Sequence, residues 1–263
     1  MKTRIITGAV MTAVFVPVLC FAHTVALPIL ACVLAATAIY EFAACIGLKA
    51  KHAYIPLMLI AAAAPFAVRY TSLGVTSVLL LLCLAFLYLM ICSVISAEKR
   101  AVDGELIMST GVLYVVLGFS MLIVVRDAFP RDYLLLILAP VGCDICAYFV
   151  GSKLGKHKLC PHLSPKKTVE GACGGLFGAM LFTAIFGAVV VLCGGEFNFL
   201  YCLLAVPVAA LSQFGDLFAS AVKRKYGVKD YGKIFPGHGG VLDRFDSTLP
   251  VMILAGILTV LFA

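Results

Sequence analysis

Residues 216–246 read DLFASAVKRKYGVKDYGKIFPGHGGVLDRFD and form a polar stretch in a largely apolar chain. The stretch holds several lysines and arginines, a glycine-rich turn and the carboxylates Asp216, Asp230, Asp243 and Asp246. Long apolar runs border it on both sides. Polar groups this dense beside membrane-length segments are costly unless they bind something. The stretch therefore predicts a functional site at a membrane boundary.

The composition of the chain is that of a polytopic membrane protein. Of its 263 residues, 63% are hydrophobic and 13% are charged, whereas soluble domains carry about 25% charged residues. Unpaired backbone groups are not tolerated in hydrocarbon, so membrane-length runs are read as helices. The sequence predicts an all-α, polytopic integral membrane bundle of about nine transmembrane helices, each needing roughly 20 apolar residues. The apolar runs cover residues up to 21, then 25–47, 54–68, 72–96, 106–125, 133–150, 172–193, 199–219 and 249–263.

Some of these runs leave alternatives open. The third and ninth are short for a bilayer. The first, with its basic start and the small residue Ala22 at its end, fits either a signal peptide or a retained first span. A second run follows almost at once, as in a helical hairpin, which favours retention. We expect a single membrane-embedded domain over residues 1–263, with N-terminal helices in 1–131 and the catalytic helices and cytoplasmic loops in 132–263.

The cations orient the chain in the membrane. With the N-terminus in the cytoplasm, every Lys and Arg except Arg69, Arg126 and Arg131 lies in an inner segment. This positive-inside asymmetry predicts a cytoplasmic N-terminus. The formal charge of +7 comes from cations clustered in the loops between apolar runs, not along one continuous face, so nucleic acid is not an expected partner. Two long inner loops, 151–171 and 220–247, hold the local polar motifs, and loops of this size usually carry function.

Three carboxylates fall within the apolar runs. Glu41 lies near the cytoplasmic end of its run, and the simplest expectation is that its side chain reaches out to the interface. Asp144 and Asp216 each precede one of the two long basic loops. That shared placement favours a joint site, and a purely structural ion pair is the alternative.

Polar residues follow Asp216 at regular spacing into the second long loop. If its helix continues, a spacing of three and four residues places Asp216 on one face with three polar residues. They are Ser220, Lys223 and Arg224. The later turn over residues 237–240, Gly-His-Gly-Gly, allows positive φ and close backbone approach, which suits a phosphate cradle ahead of a helix.

Asp243 and Asp246 follow this turn and would face the same way if residues 242–247 are helical. Carboxylates together with phosphate oxygens are the ligands that Mg²⁺ prefers. Two metal ions can clamp the entering and leaving oxygens of a phosphoryl displacement. We therefore expect metal binding here. The alternative is that residues 243–246 form an ordinary capped, salt-bridged helix entry.

The first long loop also has the character of an anion site. Residues 164–168, Ser-Pro-Lys-Lys-Thr, are followed by Glu170 and Gly171. This pattern predicts a turn that presents Lys166, Lys167 and hydroxyl groups to an anion. The alternative is that the cations only set the membrane topology.

Together these motifs resemble the signature of the phosphatidate cytidylyltransferases, also called CDP-diacylglycerol synthases. The resemblance runs from near the start of the chain to its end, with the strong motifs in the second half. Ala219 is a departure, since many relatives have an acid there. The matching motifs are Lys2-x-Arg4, Asp144, Ser164-Pro165-Lys166-Lys167-Thr168-x-Glu170-Gly171, Gly215-Asp216-Leu217, Ser220-x-x-Lys223-Arg224, Lys229-Asp230, Gly232, Phe235-Pro236, His238-Gly239-Gly240 and Asp243-Arg244-x-Asp246.

The resemblance implies an enzyme of the bacterial inner membrane, active on the cytoplasmic face, that converts CTP and phosphatidic acid into CDP-diacylglycerol and pyrophosphate. It implies Mg²⁺, assisted by a second cation such as K⁺, and a homodimer. The metal-binding acids of the family map onto Asp216 and Asp243, with Asp144 and Asp246 nearby. The other catalytic and substrate-binding candidates are Lys223, Arg224, Ser220, Lys166, Lys167, Thr168, Glu170, Lys229, Asp230, His238, Gly239, Gly240 and Arg244.

The residues support the same chemistry by themselves. Both reactants are anionic, so the barrier lies in charge repulsion and positioning, and an ionised lipid phosphate needs no general base. One alternative is a CTP-dependent kinase of a lipid alcohol, which would release CDP and need a base such as Asp230 or Asp246. Another is a cation-coupled transporter. Transporters tend to show paired repeats and broken helices near the midplane, whereas these acids cluster at one face beside basic loops.

Overall fold

The computed structural model describes residues 2–48, 51–96 and 101–262. Three cations that the charge pattern assigns to inner segments, Lys49, Lys99 and Arg100, lie outside the described residues. The side chains of Lys2 and Arg4 also lie outside the described part of the structure.

The described residues are mostly helical, with one small hairpin and a longer loop over residues 226–241. The helices are α1 Lys2–Cys20, α2 Ala26–Cys45, α3 Lys51–Tyr70, α4 Val75–Ser96, α5 Ala101–Ala128, α6 Leu135–Leu154, α7 Val169–Leu192, α8 Leu200–Lys225, the short α9 Leu242–Phe245, and α10 Leu249–Phe262. A 3-10 turn, Asp132–Leu134, precedes α6, and two strands, β1 Lys158–Cys160 and β2 Ser164–Thr168, connect α6 to α7.

Of the helices in the described ranges, seven are long and apolar enough to cross a membrane by length and composition, and these are α2 to α8. This confirms the predicted all-α polytopic membrane bundle. The third run is not short as a helix, because α3 continues on both sides of it to a length of 20 residues. By contrast α10 has 14 residues, which rise only about 21 Å. The total of nine spans stays a prediction.

The helices belong to two compact units. The first comprises Met1–Pro130, Lys225–Phe245 and Met252–Ala263, and the second comprises Arg131–Arg224 and Asp246–Val251. The expectation of one domain with a change of role near residue 131 stays a prediction.

In the first unit, α2, α3 and α5 pack against one another, and α4 packs against α3 and α5. The contact faces of α2 and α3 are rich in alanine, and Ala35, Ala38, Ala61 and Ala64 are fully buried. Small residues let helix backbones approach closely, which is how helices associate where water supplies no driving force. The apolar runs therefore contain small residues that allow close helix packing, in addition to the length and hydrophobicity that indicate membrane spans.

The second unit is built on the pair α6 and α7, with α8 completing its core. Small side chains from all three helices meet there: Ala139, Cys143, Ala179, Ala205 and Ala209. Glycines of α7 allow the closest approach. A Cβ on Gly178 would lie 2.6 Å from the carbonyl oxygen of Gly142, and a Cβ on Gly174 would lie 2.6 Å from Val150.

We expect Gly178→Ala to destabilise the protein by about 1–3 kcal/mol, the usual effect of overpacking a close contact. The measurement is thermal unfolding of the purified protein in detergent, and the melting temperature should fall. Gly104→Ala is the matched control, because a Cβ on this α5 glycine meets nothing within 4 Å. Equal melting temperatures for the two variants would contradict this view of the α6–α7 contact.

Candidate active site

The second unit contains a cavity of about 480 Å³ bordered by α6, the hairpin, the start of α7 and α8. This size is typical of small-molecule sites. The sequence predicted a joint site for Asp144 and Asp216, and both line this cavity. Its polar lining consists of Asp144, Tyr148, Ser152, Lys158, Lys166, Lys167, Thr168, Gln213 and Asp216.

Two neighbours hold the carboxylate of Asp216. Lys167 Nζ lies 2.6 Å from Oδ2, and the hydroxyl of Ser220 donates to Oδ1 at 3.5 Å. The side chains of Lys167 and Asp216 each keep 28% of their surface exposed. A partly exposed ion pair contributes little to stability. An anion can therefore replace Asp216 as the partner of Lys167 without leaving a deeply buried unpaired charge.

The lysines reach the cavity on a β-hairpin that the sequence did not predict. β1 and β2 pair antiparallel, with Lys158 opposite Thr168. Thr168 then caps α7, because its hydroxyl accepts a hydrogen bond from the amide of Gly171 at 3.1 Å. The sequence carries no strand signal here, because both strands are short and lack the apolar alternation that marks a strand. In addition, β2 contains Pro165.

Glu170, in the first turn of α7, forms hydrogen bonds with the residues that precede β1. Its carboxylate accepts hydrogen bonds from the backbone amides of Lys156 at 3.1 Å and His157 at 3.2 Å. It also lies 2.7 Å from Nδ1 of His157. The sequence predicted a substrate-binding role for Glu170. The contacts observed here are within the loop, and they fix the direction in which β1 leaves α6.

Glu170→Ala should loosen this hairpin. The variant removes the acceptor that the backbone amides of Lys156 and His157 share. We therefore expect amide hydrogen exchange in residues 156–168 to accelerate by about 10-fold or more, as local opening becomes easier. Glu196→Ala, at an exposed glutamate of the same unit, is the control and should leave this exchange unchanged. Unaltered protection in Glu170→Ala would show that the hairpin does not depend on this carboxylate.

Beyond Asp216, α8 continues to Lys225, which is the condition under which the three- and four-residue spacing places the polar residues after Asp216 on one face with it. Its cations have different surroundings. Lys223 is 8% exposed, and its Nζ lies 4.0 Å from Oδ2 of Asp246. Arg224 is exposed, and its Nε donates to the carbonyl of Leu163, in the hairpin turn, at 3.4 Å. Lys223 therefore belongs to a buried pair, whereas Arg224 places its charge beside the hairpin.

The glycine-rich turn lies in the first unit. Gly237 and Gly239 have φ of 79° and 86°, as the sequence predicted. The amide of His238 donates to the carbonyl of Phe235 at 2.8 Å, which closes a turn that needs positive φ at its third residue. Among the described residues, no hydrogen-bond partner reaches the buried Nδ1 of His238.

Asp243 organises the loop that contains this turn. Its Oδ2 accepts hydrogen bonds from the amides of Tyr231 at 2.8 Å and Gly240 at 2.9 Å. A shared direction of Asp243 and Asp246 was conditional on a helix over residues 242–247, and this condition is met only as far as Phe245, where α9 ends. Asp246 therefore lies in the turn that follows α9.

The expectation for Glu41 is wrong. Its side chain does not reach the interface but is 1% exposed, and its Oε2 accepts a hydrogen bond from the amide of Leu242 at 3.1 Å. The signal in the sequence was an acid inside an apolar run. Only the tertiary structure places the partner, some two hundred residues later, beside it.

Comparison with known proteins identifies the family. A family model described as "Cytidylyltransferase family" matches residues 2–262. The chain belongs to the cytidylyltransferase family. This confirms the resemblance that the motifs indicated.

Several proteins named phosphatidate cytidylyltransferase are similar to this family member. One from Staphylococcus aureus (strain COL) is 34% identical over 271 residues, covering 99% of each chain. One from Bacillus subtilis (strain 168) is 39% identical over 183 residues, covering 68% of this chain and 67% of the relative. One from Thermotoga maritima is 40% identical over 145 residues, covering 54% of each chain.

In this cytidylyltransferase family member, the predicted site residues fall into two sets. The cavity of the second unit brings together Asp144, Lys166, Lys167, Thr168 and Asp216. The loop of the first unit carries His238, Gly239, Gly240 and Asp243, with Lys229, Asp230 and Arg244 exposed. Within the described ranges, no three His, Cys, Asp or Glu side chains are grouped to hold a metal ion by themselves. Their roles in binding and catalysis stay predictions.

Proposed function

We propose that this protein is a phosphatidate cytidylyltransferase of phospholipid biosynthesis. It would transfer the cytidylyl group of CTP to the phosphate of phosphatidic acid, giving CDP-diacylglycerol and pyrophosphate. The observation that carries the proposal is the family match over residues 2–262. Relatives with that name support it, one of them aligned over 99% of both chains.

The cavity of the second unit suits the polar part of this reaction. Lys158, Lys166 and Lys167 line it and would supply cations for a triphosphate, and the acids Asp144 and Asp216 line the same cavity. Charge-assisted hydrogen bonds to phosphate are about twice as strong as neutral ones. In our proposal Lys167 exchanges its contact with Asp216 for a phosphate oxygen, which frees the carboxylate for a cation.

The acids of the cavity fit magnesium. Mg²⁺ usually takes one or two carboxylates and completes its shell with water and substrate phosphates, so the carboxylates of Asp144 and Asp216 are a suitable pair of protein ligands. In our proposal Asp144 and Asp216 hold Mg²⁺ on the second unit, and Asp243 and Asp246 also serve as metal ligands. When bound, the metal supplies positive charge to the phosphate oxygens. A second cation such as K⁺ is part of the same proposal.

The chain's residues then bind and align two anionic reactants. A phosphate oxygen of the lipid forms a bond to the α-phosphorus of CTP. The bond from this phosphorus to the oxygen that bridges the α- and β-phosphates breaks, and pyrophosphate leaves in line. The nucleophile is already ionised, so no side chain has to remove a proton. The proposed contribution of the lysines, Arg224 and Arg244 is to hold the phosphates in line and lower their mutual repulsion.

We further propose a bacterial inner membrane location, with a cytoplasmic N-terminus and the active site on the cytoplasmic face. The positive-inside distribution of Lys and Arg supports this orientation. Phosphatidic acid would enter laterally from the bilayer between helices. A homodimer is the proposed assembly.

A panel of lipid acceptors tests this function. Purified protein in detergent is given CTP and Mg²⁺ with phosphatidic acid, diacylglycerol or a polyprenol, and the lipid products are identified by mass spectrometry. We expect CDP-diacylglycerol from phosphatidic acid only, and no product after chelation. A phosphorylated diacylglycerol or polyprenol with release of CDP would instead indicate a kinase and overturn the proposal.

A further inference from the structure

Glu41 is a buried acid that the chemistry proposed above does not use. It lies on α2, about one turn before the end of that helix, and is 1% exposed. Its Oε2 accepts a hydrogen bond from the amide of Leu242, and its Oε1 is buried without a hydrogen-bond partner among the described residues. A buried carboxyl group with an unsatisfied oxygen lowers stability. Its presence here is better explained by what it holds in place.

Two glycines of the loop over residues 231–242 make room for this carboxyl group. A Cβ on Gly232 would collide with the Oε1 of Glu41 and lie 2.6 Å from its Cδ, and a Cβ on Gly240 would collide with both carboxylate oxygens. Neither glycine has positive φ. Their lack of a side chain is therefore required by the acid beneath them and not by the backbone conformation.

The same loop is held from its other side by Asp243. The amides of Tyr231 and Gly240 donate to Asp243 Oδ2, so Gly240 lies between two carboxylates. Phe42, the neighbour of Glu41, stacks on the ring of Tyr231 with a centroid distance of 6.1 Å and an interplanar angle of 21°. The end of α2 thus contacts the loop at its beginning and at its end.

We propose that Glu41 is a positioning residue that holds residues 231–242 on the end of α2 and so sets the carboxylate of Asp243. Its hydrogen bond fixes the amide of Leu242, the residue before Asp243. The volume of its carboxyl group fixes the path of the loop at Gly232 and Gly240. Glu41 acts through Asp243 and does not touch the reactants. This proposal rests on the proposed function only for its kinetic consequences, since the contacts are independent of the substrate.

Four variants of the full-length protein in detergent test the proposal. Glu41→Ala removes the acceptor, whereas Glu41→Gln keeps an acceptor oxygen at the same reach. Gly232→Ala introduces the collision, and the double variant with Glu41→Ala relieves it. The matched control is Glu105→Ala, since Glu105 on α5 is also buried, at 6% exposure, with an Oε2 that lacks a partner among the described residues. The readouts are kcat and KM for CTP, and amide hydrogen exchange at residues 231–242.

We expect Glu41→Ala to lower kcat by about 10-fold or more, because small misplacements of a reacting group are costly, with little change in KM. Glu41→Gln should regain most of this loss, and the double variant should be more active than Gly232→Ala alone. Exchange should accelerate at residues 231–242 in Glu41→Ala and not in Glu105→Ala.

Three results would overturn the proposal. The first is wild-type kcat in Glu41→Ala, and the second is a Gly232→Ala defect that the double variant does not relieve. The third is an equal loss of protection throughout α2 to α5, which would assign Glu41 to general stability. If the wild-type protein transfers no cytidylyl group, the proposed function fails, and the exchange at residues 231–242 still decides the role of Glu41.

Discussion

Asp216→Asn is expected to lower kcat for cytidylyl transfer by about 10²–10³-fold, the loss typical when one preorganised electrostatic group is removed from an active site. The carboxylate lines the cavity and lies 2.6 Å from Lys167 Nζ. The amide keeps the shape of the side chain and the hydrogen bond from Ser220, but it loses the charge that we propose to hold a cation. The measurement is steady-state kinetics of the purified variant with saturating phosphatidic acid and CTP.

Asp132→Asn is the matched control for this variant. Asp132 pairs with Arg131 at 2.9 Å in the same unit and does not line the cavity, so its kcat should remain near the wild-type value. The melting temperature of Asp216→Asn should also remain close to that of the wild type, because the ion pair is partly exposed. Full activity in Asp216→Asn would remove this acid from the proposed metal site.

Asp243→Asn is expected to separate two roles of one carboxylate. The Oδ2 of Asp243 accepts two backbone amides and the side chain is 8% exposed. An asparagine oxygen can accept from the same amides, so the loop should keep its path. The negative charge proposed for metal binding is lost. We expect kcat to fall by about 10²-fold or more while the melting temperature changes little.

Asp243→Ala sharpens this test, since it removes the acceptor as well as the charge. Leaving two buried amides unpaired costs about 1–3 kcal/mol for each, so this variant should also melt at a lower temperature. Asp103→Asn, at an exposed aspartate of the same unit, is the control and should match the wild type in both measurements. If Asp243→Asn turned over normally and only Asp243→Ala were impaired, Asp243 would be a loop-organising residue without a chemical role.

The sequence predicted the helices well because membrane length and backbone hydrogen bonding leave few alternatives. From their common position ahead of basic loops it also predicted a joint site for Asp144 and Asp216, and both line the cavity of the second unit. The ends of these helices were less predictable. α6 and α8 continue past their apolar runs to Leu154 and Lys225, since polar residues at a membrane surface are as compatible with helix as apolar ones.

What could not be predicted depends on contacts between distant parts of the chain. The hairpin that carries Lys166 and Lys167 has no strand pattern, and it is stabilised in part by Glu170 and the capping hydroxyl of Thr168. Glu41 was expected at the interface because an acid near a helix end usually reaches water. Its glycine partners lie in the loop over residues 231–242, and no local pattern links them to α2.

The fate of the CTP phosphates distinguishes cytidylyl transfer from phosphoryl transfer. Purified protein in detergent is incubated with phosphatidic acid, Mg²⁺ and CTP labelled at either the α- or the γ-phosphorus. We expect the α-label in the lipid and the γ-label in pyrophosphate, and we expect both products to be lost in Asp216→Asn. Transfer of the γ-label to a lipid, with release of CDP, would contradict attack at the α-phosphorus and place this protein among the kinases.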